Sequence, residues 1–140
     1  MGKTHRFWRH GVAALFAVGF TSSSLAEGNG SRPPETSFKA DVQPLFDTYC
    51  VACHQSGAAQ QGLVLEEGLA RASIVGKRSE QAASLLVKPG DPGASYLLHK
   101  IGGTHLSFGG SGTAMPPGGP IEPASITLVR SWIAHGAKDN

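Results

Sequence analysis

Two cysteines, three positions apart, are all that the 140 residues contain. A structural zinc site needs four ligands, and no second cysteine pair is there to complete one. Four histidines stand beyond residue 26, and none has a paired, finger-like spacing. A disulfide across so tight a loop would contribute little stability. Strand-like alternation is scarce, which removes the βαβ setting of a thioredoxin-type redox pair. The apolar run at residues 11–20 has about ten residues, against the roughly 20 that a permanent membrane span needs. No adjacent arginine pair marks twin-arginine export. The chain shows no internal repeat, general acid–base pair, nucleophile triad or phosphate loop. Methionine is nearly absent as well, with Met1 and Met115 the only two.

What is present begins with an export signal. Lys3, Arg6 and Arg9 form a positive start, residues 11–20 an apolar run, and Ser24-Leu25-Ala26 a small-residue cleavage site. Residues 1–26 therefore read as a secretory signal peptide, with Glu27 the first mature residue and a periplasmic destination. The alternative is an uncleaved anchor. No cysteine near the cleavage point could carry a lipid. Three of the 12 Lys+Arg and none of the 10 Asp+Glu lie in this leader, so the formal +2 becomes −1 in the mature chain. No basic stripe remains to suggest nucleic acid. Residues 27–37 are polar and rich in Pro and Gly, a flexible lead-in. Residues 38–140 suffice for one domain with one core.

The most specific pattern is Cys50-Val51-Ala52-Cys53-His54. Two thiols at this spacing, followed directly by histidine, form the covalent attachment site of a c-type haem. Cys50 and Cys53 lie about one helical turn apart, so both sulfurs reach the vinyl groups on one porphyrin edge. His54 then falls under the ring and offers an imidazole nitrogen to the iron. Haem attachment requires reduced thiols and takes place outside the cytoplasmic membrane in bacteria. The box is thus haem-ligating despite the oxidising compartment. One box means one haem.

Three helices flank it. Val42, Leu45, Phe46 and Tyr49 recur on one face of a first helix over residues 38–49, with Pro44 in its opening turn or at a break. Asp91-Pro92 signals an N-cap and first helical residue, and Gly102-Gly103 a stop, for a second helix over residues 92–101. Glu122-Pro123 starts a last helix bearing Ile126, Val129, Trp132 and Ile133, which Gly136 ends. Trp132 reads as core. His135, at the end of that helix, reads as surface.

Between the last two helices lies a Gly-rich stretch at residues 102–119, in most proteins a plain solvent loop. It holds Met115, followed by Pro116 and Pro117, which restrict the backbone there. A thioether is a soft, neutral ligand that favours ferrous iron. From the residues alone, the sixth iron position stays open between Met115, His99 on the second helix and His105 in the loop.

Four landmarks in order carry a family resemblance. They are Cys50-Val51-Ala52-Cys53-His54, then Pro89-Gly90-Asp91-Pro92-Gly93-Ala94-Ser95-Tyr96-Leu97, then Met115-Pro116-Pro117-Gly118-Gly119-Pro120, then Trp132-Ile133-Ala134-His135-Gly136-Ala137. The chain resembles the class I c-type cytochromes, specifically small bacterial monohaem domains, over residues 38–137. The resemblance implies an all-α, cytochrome c-like fold: three to four short helices around one covalent haem c, with long Gly-rich loops. It implies His54 as proximal and Met115 as distal iron ligand. It also implies that the first and last helices cross, with Phe46 or Tyr49 meeting Trp132, and that residues 62–65 line the haem edge.

The function expected is electron transfer by a monomer with transient redox partners, without nucleic acid and without a permanent membrane span in the mature chain. No enzymatic activity of its own is expected. Two alternatives remain. One is a haem sensor or weak peroxidase with a displaceable distal ligand, and the other is a subunit docked to a larger exported oxidoreductase.

Overall fold

Ser37 starts the first helical run because its hydroxyl accepts the Ala40 N–H at 3.1 Å, while the Asp41 carboxylate accepts the Ser37 N–H at 2.8 Å. The structure, a computed structural model, describes residues 35–140. The leader, and the lead-in up to residue 34, lie outside the described residues. Thr36 is buried, and its hydroxyl donates to Ser131 Oγ at 2.8 Å. The flexible lead-in expected through Ser37 therefore gives way to fixed structure at its last residues.

The first run covers the expected residues 38–49 in two gaits. Phe38–Val42 is a wide π-turn and Gln43–Tyr49 is α1. Pro44 falls in the first turn of α1, where its missing N–H costs least. Further on come α2 (Ala70–Ile74), α3 (Tyr96–Ile101) and α4 (Pro123–Ala134), with 3₁₀ turns at Gln60–Gly62 and Pro92–Ala94. Among the described residues there is no β-strand; only isolated bridges join Val75 to Val87, Arg78 to Leu85 and Leu85 to Ser95. The class is all-α. No helix among the described residues is long and apolar enough to cross a membrane.

The second expected helix is corrected to two pieces. Asp91 caps as predicted, its carboxylate accepting the Ala94 N–H at 3.0 Å. Ser95 then adopts extended backbone (φ −99°, ψ 107°) and interrupts the run. The reason is tertiary. The Tyr96 and Leu97 N–H groups donate to Leu85 and Leu86 carbonyls at 3.0 and 2.9 Å, and the Ser95 hydroxyl accepts the Lys88 N–H at 2.9 Å. Backbone partners outside the helix replace the ones inside it.

The last helix begins and stops where its signals lie. Glu122 is the N-cap and Pro123 the first residue. Gly136 takes φ +96°, and the Gly136 and Ala137 N–H groups return to Ile133 and Trp132 carbonyls at 3.0 Å each. The Gly90 N–H also donates to Ile133 O at 2.8 Å, tying the Pro-Gly-Asp-Pro turn to this helix.

The core joins Val42, Phe46, Leu97, Ile101, Val129, Trp132 and Ile133, all buried. First and last helical runs do pack together, but the ring that meets Trp132 is Phe38, with centroids 5.0 Å apart. Phe46 sits edge-on to Phe38 at 6.2 Å, and Tyr49 turns instead to a cavity described below. The Trp132 indole N–H donates to Lys138 O at 2.9 Å. Trp132→Ala removes both the packing and that bond, so a loss of about 3–5 kcal/mol is expected. In thermal unfolding this reads as a Tm lower by roughly 10 °C or more; a Tm within a few degrees of the parent would contradict the packing described.

Candidate functional site

The end of α1 folds the cysteine box. Cys50 and Val51 N–H groups donate to Phe46 O at 2.8 and 3.0 Å, and then Cys53 and His54 N–H groups both donate to Cys50 O at 3.1 and 3.0 Å. This tight turn sets both thiols and the imidazole on one wall of a cavity of about 750 Å³. Its size lies within the range of cofactor pockets, roughly 300–1,000 Å³. His54 O accepts the Leu65 N–H at 2.7 Å, which lays residues 62–65 alongside the box. Of this segment, Gly62, Leu63 and Leu65 line the cavity and Val64 does not.

Met115 stands on the same cavity's wall, with Pro116 and Pro117. The structure thus brings all four expected residues, Cys50, Cys53, His54 and Met115, to one space. Among the histidines of the described residues, His54 alone lines it. His99 is engaged elsewhere: Nδ1 lies 2.9 Å from Thr104 Oγ1, Nε2 3.1 Å from Gly93 O, and the ring stacks on Phe108 at 3.8 Å. His105 is buried, with Nε2 3.0 Å from Gly112 O. His135 is exposed, as expected.

His54 is itself buried, and its Nδ1 has no hydrogen-bond partner. His105 Nδ1 is bare in the same way although that ring lies outside the cavity, so the unpaired nitrogen is not particular to this site. Both thiols are free. Burial pushes the Cys50 thiol up to about 11, so it stays protonated at neutral pH, whereas Cys53 is exposed. No group of three or more His, Cys, Asp or Glu side chains gathers among the described residues. A metal caged by such side chains alone has no seat here, but one carried in a macrocycle needs only axial donors. The donor set of two thiols, an imidazole and a thioether and the cavity size fit a covalently held haem.

The rest of the wall carried no local signature. Lys77, Arg78, Ser79, Glu80 and Gln81 contribute from the segment fastened to α3, and Lys100 and Ile101 from α3 itself. The Gly-rich stretch, of a kind that in most proteins is a plain solvent loop, is strapped down here. Lys100 Nζ donates to Ser111 O and Thr113 O at 2.8 and 2.7 Å, and Tyr96 Oη to Ser111 O at 3.3 Å. The Ser111 N–H donates to Gln81 O at 3.0 Å. Gly110 passes so close to Tyr96 that a Cβ there would sit 2.3 Å from its hydroxyl, so only glycine fits. Burial lowers the Lys100 ammonium pKa below the usual lysine range.

No protein family, curated protein or solved structure matches this chain.

Proposed function

We propose that the chain is an exported, monomeric electron carrier of the class I c-type cytochrome kind. In this reading Cys50 and Cys53 hold one haem c by thioethers, His54 is the proximal ligand and Met115 the distal one. The carrying observation is the convergence of these four side chains on one cavity of about 750 Å³, with His99 and His105 held away from it.

Bound there, the haem would supply a ferric–ferrous couple. The chain's own residues do the rest. The α1 turn places the two thiols and the imidazole by four backbone bonds to Phe46 and Cys50 carbonyls. Leu63, Leu65, Leu86, Leu97 and Ile101 give the cavity an apolar stretch of wall against which the macrocycle would pack. His54 and Met115 would hold the iron, and two donors kept in place by the chain would leave little to rearrange when an electron arrives or leaves. Cys53 is exposed, so the attachment edge lies at the surface, where a partner protein can approach. Partner contacts of this kind are small and transient.

The test is the oxidised optical spectrum of protein matured with covalent haem. A low-spin spectrum with a weak long-wavelength sulfur–iron band supports the reading. A high-spin spectrum overturns it and makes ligand sensing or catalysis the better account.

A further inference from the structure

Lys100 is the least expected residue in the core. It sits on α3 between Leu98 and Ile101, only 8 % exposed, and makes no ion pair with any described residue. A buried cation without a carboxylate is costly, and an apolar residue would pack there more cheaply. What its ammonium does hold is the Ser111 and Thr113 carbonyls, with the Tyr96 ring centroid 5.7 Å away. Its own carbonyl accepts the Met115 N–H at 3.1 Å. One residue therefore grips positions 111, 113 and 115, every second residue of the segment that leads into the methionine.

We propose that Lys100 is the positioning residue that seats Met115, closing the Gly-rich loop by gripping alternate residues of its final strand-like approach. This rests on the reading of Met115 as axial ligand. Residues 102–114 leave α3 one residue after Lys100, and the Met115 N–H returns to the Lys100 carbonyl, so this residue stands at both ends of the loop. A glycine-rich loop released from that closure regains much conformational freedom. The sulfur then spends more time away from the cavity, and an external ligand competes more easily. Tyr96 and His105 each hold one carbonyl of the same segment, so they keep the loop near the domain but do not touch Met115.

The experiment uses the full, haem-loaded chain and titrates imidazole against the sulfur–iron band. Lys100→Met keeps length and apolar stem but removes the charge-assisted bonds. The band is expected to disappear at an imidazole concentration on the order of tenfold lower than in the parent. Lys100→Arg, which keeps cationic donors, is expected to restore the parent behaviour. A parent with no band overturns the axial-ligand reading and the clamp with it. A parent with the band and a Lys100→Met variant displaced at the same imidazole concentration overturns the clamp alone. Should Lys100→Met not fold, acetic anhydride reads the same contact in the unaltered protein. Lys39, Lys77, Lys88 and Lys138 are exposed and should acetylate first, with Lys100 unmodified while the band persists. Acetylation of Lys100 at the exposed lysines' rate, with the band intact, also overturns the proposal.

Discussion

A chain carrying Cys50→Ser and Cys53→Ser together is expected to yield no covalent haem and to lose its cooperative unfolding transition. The thioethers have no substitute, because these are the only cysteines. The effect on the fold follows from the lining of the space. Without an occupant, Leu63, Leu65, Leu86, Leu97 and Ile101 lose the packing partner that a bound planar group would give them. The checks are a haem stain on a denaturing gel and a thermal melt followed by circular dichroism. Haem that stays with the denatured double variant would refute thioether attachment. A parent-like melt without haem would refute the view that the cofactor fills the core.

Met115→Ala should leave the haem attached but change its chemistry. A thioether stabilises ferrous iron, and His/Met ligation raises the potential. Its loss is expected to lower the midpoint potential by on the order of 0.2 V, within the roughly 0.8 V that axial ligands span. The reduced variant should also bind carbon monoxide at neutral pH, which the parent should not. No histidine of the described residues is poised to take the place. His99 is tied through both ring nitrogens and stacked on Phe108, and His105 is buried on Gly112 O. Potentiometric titration and the carbon monoxide difference spectrum check this. An unchanged spectrum would remove Met115 as a ligand.

The Asp91 cap and the Glu122-Pro123 start were legible because each is a local rule, needing only the residue's own next neighbours. The break at Ser95 was not legible. Asp91-Pro92 and the leucines after it predict one helix, and only Leu85 and Leu86, folded back from a bridge segment, supply the competing carbonyls. Helix α2 escaped notice for a different reason, since five residues are too few to show a period. The cavity wall at residues 77–81 carries no motif at all. The order of the loop has no local signature, because it comes from Lys100, Tyr96 and Gln81, which no sequence pattern connects to it, and His105 within it is buried. The ring beside Trp132 is Phe38, at the very start of the first run, where too few residues precede it to show a helical period.

The two edges of the described domain are clasped to each other. Ser37 Oγ and the Lys39 N–H both donate to Asn140 O, at 2.7 and 2.9 Å, the Phe38 N–H donates to Asn140 Oδ1 at 2.9 Å, and Lys138 pairs with Glu35 at 2.8 Å. The polypeptide thus enters and leaves this body at one spot, and none of those residues lines the cavity. Such a body can be spliced into a surface loop of another protein, or strung in tandem on a short tether, without pulling its ends apart. A string of such units would leave the mouth of each unit's cavity free, because the joints fall on residues that do not line it.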